Sequence, residues 1–391
     1  MSDRLKILVT PLASLKLTVA LFVAAMFLIF TGTLAQAEDG TWVIVDRYFR
    51  SAVAWIDLRL LVPWDVTWLN VSVPFPGGFV IGGLLLLNLV AAHTLRFKLS
   101  RRRVGVLVIH FGLILLLLSE MATALLAEEG RMTIPEGASS NYTEDIRSAE
   151  LYVIDRSDSQ YDQVTVVPEG MLEREGVVDH AQLPFEVRVE QWMVNSRLFT
   201  LEGEGEPRTR ATRGRGRRVI AEAAAPAAGV DSEVNLPSAY VTLVRDGETL
   251  GTWLLSLWLE APQQVEVEGK TYDIGLRFER TYKPYTMHLI DFRHDRFTGT
   301  EKPRNFSSRV RLMDPSQNED REVLIYMNHP LHYNGETFYQ SAYLPNDSGT
   351  VLQVVNNPAW WVPYASCVLV GGGMLLHFGQ HLVRFMRSTA R

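Results

Sequence analysis

Residues Phe79 to Leu126 hold two apolar runs joined by a short basic turn, and that pattern restricts this part of the chain to a membrane hairpin. Crossing the hydrocarbon core takes about 20 residues, and each run is long enough to do so. The turn carries Arg96, Lys98, Arg101, Arg102 and Arg103, which by the positive-inside rule places it on the cytoplasmic side. The hairpin also holds two histidines. His93 stands three residues before Arg96 and His110 seven after Arg103, so the spacing sets them within about one helical turn of each other in depth. Ionisable side chains in a span are costly, and each is a functional hypothesis by default.

Two further apolar runs complete the membrane region. The first, about 12–34, follows Arg4 and Lys6, and Lys16 is close enough to its cytoplasmic end to snorkel. Ala35-Gln36-Ala37 resembles a signal-peptidase site. The apolar core Leu17 to Leu34 nevertheless exceeds the about 7–15 residues of a signal peptide, so a retained span is expected. The last run opens at Trp360-Trp361, reaches about Phe385 and carries Arg384, Arg387 and Arg391 at its end. Four spans, about 12–34, 79–97, 104–126 and within 359–391, with both termini cytoplasmic, put every basic cluster inside. Residues 127–358 then lie outside. The segment 38–75 becomes an outer loop, in which Thr41 to Leu61 reads as an interfacial amphipathic helix and Trp42, Trp55, Trp64 and Trp68 as a membrane belt.

The 47% hydrophobic and 21% charged composition hides this split, with apolar residues at the ends and charge between. A net charge of −6, with the basic residues outside the middle set beside apolar runs, gives no nucleic-acid footprint. Cys367 is the single cysteine, so neither an internal disulfide nor a Cys-x-x-Cys motif exists.

The segment 127–358 has the period of strands. FEVRVEQW, AYVTLV, YDIGLRF, RVRLM and EVLIYM alternate, and Asp246-Gly247 and Glu268-Gly269 are hairpin turns by composition. Residues 202–231, rich in Glu, Gly, Arg, Ala and Pro, read as a flexible insert with nothing to bury. The expected fold class is therefore an α+β membrane protein, with four transmembrane helices and one large extracytoplasmic, sandwich-like β-rich domain between the third and fourth.

Chemistry centres on imidazoles. His93 and His110 are candidate ligands for iron, zinc or copper, and heme iron in particular takes axial histidine. A histidine in a span also serves simply to hydrogen-bond a neighbouring helix. His377 and His381 share one face of the last span at i and i+4. They are weaker candidates, as are His329 and His332 in NHPLH, where Pro330 and Asn334-Gly335 mark a turn into an aromatic strand. No Ser/His/Asp order, phosphate-cradling loop or HExxH motif occurs.

Several stretches resemble the ResB family, the CcsB/ResB-type membrane proteins of System II cytochrome c biogenesis. They are Leu12-Ala-Ser-Leu-Lys-Leu-Thr18, Gly32-Thr-Leu-Ala-Gln36, Gly105-Val-Leu-Val-Ile-His-Phe-Gly112 and Gly130-Arg-Met-Thr-Ile-Pro-Glu-Gly137. Asp291-Phe292, Pro303-Arg-Asn-Phe-Ser-Ser308, Met327-Asn-His-Pro-Leu331, Tyr333-Asn-Gly335 and Phe338-Tyr-Gln-Ser341 continue the likeness, which is weak over 150–285.

The resemblance implies an accessory subunit in a bacterial cytoplasmic membrane. With a CcsA/ResC-type partner it moves heme b, in transit, across the membrane and presents it for attachment to apocytochrome c. By position His93 matches the family's intramembrane heme ligand, with His110 second. The tryptophan-rich heme-presenting motif belongs to the partner, and Trp64-Asp65 with Trp68 is too short to replace it. With no thiol pair, reduction of the apocytochrome falls to a thioredoxin-like protein, and no catalysis by this chain alone is expected. The rival readings are a membrane scaffold with no heme ligand of its own, a quinone or electron-transfer subunit using His377 and His381, and copper handling by the outer histidines. Phosphatase reporters inserted within 127–358 are expected to be active outside the cytoplasm, whereas one fused after Arg391 stays inactive; the reverse pattern would overturn the topology.

Overall fold

The computed structural model describes residues 10–39, 41–62, 71–96, 103–158, 160–201, 209–225, 227, 234–296, 299 and 303–389. Two compact units emerge, one of Met1–Glu128 with Asn357–Arg391 and the other of Glu129–Ala227 with Ser232–Asn356.

The first unit contains four helices long and apolar enough to cross a membrane, α1 (Leu15–Asp39), α2 (Gly78–Arg96), α3 (Val104–Leu126) and α4 (Val362–Thr389). Helix α1 runs past the expected end at Leu34, so Ala35-Gln36-Ala37 stands inside it and Ala35 is buried. Thr41–Leu61 is not one amphipathic helix. It forms a single helical turn (Thr41–Ile44), a π-helical turn (Val45–Phe49), strand β1 (Val53–Asp57) and a 3-10 turn (Leu58–Leu61). β1 pairs antiparallel with β2 (Ser72–Pro76), and Ile44, Tyr48, Ala54 and Ile56 pack with Leu28, Ala35 and Ile81. This non-local pairing and shared core outweigh helical propensity in the segment. Trp64, Asp65, Trp68, Lys98, Arg101 and Arg102 lie outside the described residues.

The second unit is β-rich, with its strands labelled β3 to β18 in chain order. One sheet runs β11–β10–β7–β6 (Glu248–Ser256, Ser238–Arg245, Glu186–Met193, Val177–Val178). A larger sheet follows the path β15–β14–β13–β4–β3–β18–β17–β16, from Glu319–Tyr326 through Pro303–Asp314, Lys270–Arg296, Ser139–Asp155, Glu128–Pro135, Gly349–Asn356 and Glu336–Tyr343 to Leu331–Tyr333. Off this path, β5 (Gln163–Pro168) pairs with β4, and β12 (Gln263–Val267) with β13.

Alternation explains the strands. Val187 and Val189 of β7 and Val310 and Leu312 of β14 point inward, with Arg188, Glu190, Arg309 and Arg311 between them. Asp246-Gly247, Glu268-Gly269 and Asn334-Gly335 all take positive φ and close tight hairpins, as two-residue turns of that chirality require.

Two cores result. Leu151, Val153, Ile274 and Leu276 of the larger sheet face Val187, Val241, Leu243 and Leu255 of the smaller, a sandwich. Beyond it the large sheet curls around Tyr285, Met287, Leu289, Val310, Ile325, Phe338 and Leu352. Strand β13 passes from one core to the other, with β4 paired along it. Their register shifts between Phe278 and Glu279, and again between Tyr282 and Met287, irregularities that bend a sheet and increase its twist. At the crossing, cross-strand partners form ion pairs. Arg277 Nε lies 2.7 Å from Glu150 Oε1, and Arg280 Nε 2.9 Å from Glu144 Oε1. The two guanidinium groups also lie over the Tyr152 and Tyr142 rings. Burial pushes the Glu150 carboxyl above its ordinary range despite the opposing pull of Arg277.

The 202–231 segment differs from its reading as an insert with nothing to bury. Residues 202–208 and 228–233 are outside the described residues, but over 209–225 the chain is built into the unit. β9 (Val219–Ala223) pairs with β8 (Ser196–Thr200), Ala211 and Ala221 are buried beside Tyr240 and Leu254, and Ala221 N donates to Tyr240 Oη. Its alanines supply apolar contact, and Arg210 donates to Gln191 Oε1 at 2.9 Å.

Replacing Arg277 with Met strands a buried carboxylate, and a loss of about 3–5 kcal/mol is expected. Denaturant melts of the R277M and E150Q/R277M proteins check this, because the double variant should recover most of the loss.

Candidate functional site

For helices in a bilayer, association relies on close packing and polar contacts rather than on hydrophobic burial. Both devices position the histidines. Gly105, Gly112 and Ser119 recur every seven residues along α3 and are buried, as are Ser366 and Gly373, seven apart, on α4. A Cβ at Gly105 would lie 2.6 Å from the backbone N of His377, one at Gly112 2.8 Å from a Val370 methyl, and one at Gly373 2.8 Å from the backbone N of Ile109. Helices α3 and α4 thus touch backbone to backbone. Between α1 and α2 the contact is polar. The buried Asn88 donates to the carbonyls of Leu12 and Ser14, and its Oδ1 accepts from Thr18 Oγ1 at 2.7 Å. Neither Asn88 nor the seven-residue glycine seam was singled out from the sequence, although the spacing of 105, 112 and 119 is visible in it.

Helices α2 and α3 bring His93 and His110 together, ring centroids 4.6 Å apart at 68°. His93 Nδ1 is 2.9 Å from the carbonyl oxygen of Leu89. A carbonyl only accepts, so Nδ1 carries the proton and Nε2 the lone pair that ligates metals. His110 Nδ1 is buried with no hydrogen-bond partner among the described residues. His377 and His381 form a second pair, with ring centroids 4.7 Å apart. The Gly105–His377 contact puts them at the same end of the helices as the first pair, and His381 is exposed.

The outer candidates are placed differently. His329 stacks on Tyr326 at 4.0 Å and 13°, and its Nδ1 lies 3.3 Å from the Met327 carbonyl oxygen. His332 Nδ1 is 3.0 Å from Thr337 Oγ1. Tyr333, next to His332, donates to Asp314 Oδ2 at 2.8 Å, and burial with this bond pushes its phenol up to about 12. These two histidines sit on an anchored turn, each with its own neighbour. Among the described residues no group of three or more His, Cys, Asp or Glu side chains is arranged to hold a metal ion.

A porphyrin brings four nitrogens of its own and asks the protein only for axial ligands. Two imidazoles on opposite faces of one iron stand with centroids roughly 6 Å apart, given metal–nitrogen bonds of about 2 Å. At 4.6 Å and edge-on, His93 and His110 do not straddle a porphyrin in this arrangement. The donor chemistry fits one imidazole of the pair as an axial ligand.

Residues 250–351, which include β12 to β17, match the ResB-like family. Protein NrfI of Wolinella succinogenes is 32% identical over 130 residues, covering 33% of this chain and 14% of that protein. The chain therefore corresponds to well under two thirds of this relative. A solved structure of Cytochrome c Heme Lyase CcmF aligns with 77% of this chain and 30% of its own at 13% identity, and its TM-score of 0.21 is too low to carry an argument. The ResB-like match lies wholly within the β-rich unit and leaves the four helices to be judged on their own geometry.

Gly112→Leu is expected to force α3 from α4, with a loss of about 1–3 kcal/mol by overpacking. Thermal melts in detergent check it, and Gly82→Leu, where an added Cβ meets open space, should leave the melt unchanged.

Proposed function

We propose that this chain is the non-catalytic half of a heme-delivery complex for cytochrome c maturation, working with a CcsA/ResC-type membrane subunit. The observation that carries the reading is the contact between two imidazoles from adjacent apolar helices, in a chain whose β-rich unit matches the ResB-like family. The ResB-type stretches seen in the sequence support the same role.

Heme b is the cargo rather than a resident group. His93 is the preferred axial ligand, because the Leu89 carbonyl holds its Nδ1 proton, fixing the tautomer and the ring orientation. His110 is the second candidate, and the partner subunit supplies the ligand on the opposite face. Apolar side chains of α2 and α3 would border the bound group and limit the access of water to it. The β-rich unit, extracytoplasmic in this reading, docks the partner or apocytochrome c. Cys367, the single thiol, leaves reduction to a thioredoxin-like protein and thioether formation to the partner.

His93→Ala is expected to lower co-purified heme at least about tenfold, the scale of a lost metal ligand or its support, when the two subunits are expressed together. Pyridine hemochrome assay and the Soret spectrum read the result. Unchanged heme content would remove the assignment and favour a scaffold role.

A further inference from the structure

A third imidazole, in the β-rich unit, has a ligand's surroundings. His294 lies near the end of β13, and its side chain is 2% exposed. Its Nδ1 is 2.8 Å from Asp347 Oδ1, on the turn that joins β17 to β18. Asn346 and Asp347 both take left-handed backbone angles, φ 59° and 54°, and the turn so formed directs the carboxylate at the ring. A carboxylate accepts and does not donate, so Nδ1 keeps the proton and the lone pair sits on Nε2. That Nε2 is buried, and no described residue hydrogen-bonds to it.

A histidine buried only for packing satisfies both nitrogens as a rule, since a buried polar atom without a partner destabilises the fold. Here one nitrogen is tied to a carboxylate, the arrangement that fixes the tautomer of metal-ligating histidines and makes them better donors. The walls are aromatic. Phe306 stands 4.7 Å and Tyr343 4.6 Å from the imidazole, centroid to centroid, and Phe292 stacks with Tyr343 at 6.2 Å and 21°. Among the described residues no group of three or more His, Cys, Asp or Glu side chains forms here to hold a bare ion. The ligand that suits one basic nitrogen between flat apolar rings is a metal already held in a macrocycle. Tyr343 is 39% exposed while resting on the imidazole, so turning its side chain uncovers the ring.

We propose that His294, oriented by Asp347 and flanked by Phe306 and Tyr343, is an axial ligand for iron porphyrin on the β-rich unit, a second station distinct from the His93–His110 pair. The identity of the porphyrin as cargo rests on the function proposed above, but the ligand geometry does not. Heme leaving the helices would meet here a single strong-field imidazole, which holds the iron while leaving its other face open to an incoming protein.

The test is hemin titration of the detergent-solubilised full chain carrying His93→Ala and His110→Ala. One equivalent is expected to bind with a shifted Soret band. Adding His294→Gly should weaken binding more than tenfold, and free imidazole, filling the hole, should restore the band in a protein that has folded. Asp347→Asn, which keeps the ring, should weaken binding about 10–100-fold and decides the matter if the glycine variant does not fold. Absence of hemin binding in the double variant, or equal affinity after His294→Gly or Asp347→Asn, overturns the proposal. Co-purified heme unaffected by His93→Ala would defeat the transit role while leaving this titration to stand on its own result.

Discussion

The β-rich unit depends on the long antiparallel pairing of β4 with β13. Strand β13 contributes to both cores and β4 to the first, and the register shifts between Phe278 and Glu279 and between Tyr282 and Met287 turn the sheet from one core to the next. A crossing of that kind leaves side chains between two apolar interiors without belonging to either. Arg277, Glu150, Arg280 and Glu144 occupy it as paired charges. Pairing makes burial tolerable rather than favourable, because desolvation offsets most of the attraction. What the ladder adds is definition. A one-residue slip of β13 against β4 would place like charges or apolar rings opposite one another and unpair two buried ions. The bent spine also places His294, near one end of β13, beside the turn that carries Asp347.

The helical unit solves a different problem. Apolar side chains gain little by leaving lipid for one another, so specific contacts must hold the helices. Helices α3 and α4 rely on small residues at every seventh position, and α1 and α2 on Asn88 and Thr18. With α2 and α3 in place, His93 and His110 come into edge contact. Close approach is also the limit on their chemistry: two rings this near cannot clasp opposite faces of one flat macrocycle.

Much of this architecture was legible in the residues. The four apolar runs, the strand alternation around Val187, Val310 and Ile325, and the Asp-Gly, Glu-Gly and Asn-Gly turns depend on local pattern, and a linear reading captures local pattern. The misreadings share a cause. Thr41–Leu61 carries a helical period, yet Ala54 and Ile56 pair with a strand some twenty residues on. Residues 209–225 look featureless because their few apolar groups, Ala211 and Ala221, are small, and only the waiting surface of Tyr240 and Leu254 makes them worth burying. Both segments owe their form to partners distant in sequence, which no window along the chain contains.

The candidate site divides in the same way. Sequence alone determined that His93 and His110 share a depth, because depth follows from the number of residues counted from a basic turn. It also determined, through a single cysteine, that no disulfide forms within these 391 residues. Tertiary structure decided that the two rings touch, that Leu89 holds the proton of one of them, and that His329 stacks on Tyr326 while His332 meets Thr337. It alone joined His294 to Asp347, 53 residues away. Rise per residue is a property of the chain, whereas the rotation of a helix and the meeting of a strand with a turn are properties of what packs against them.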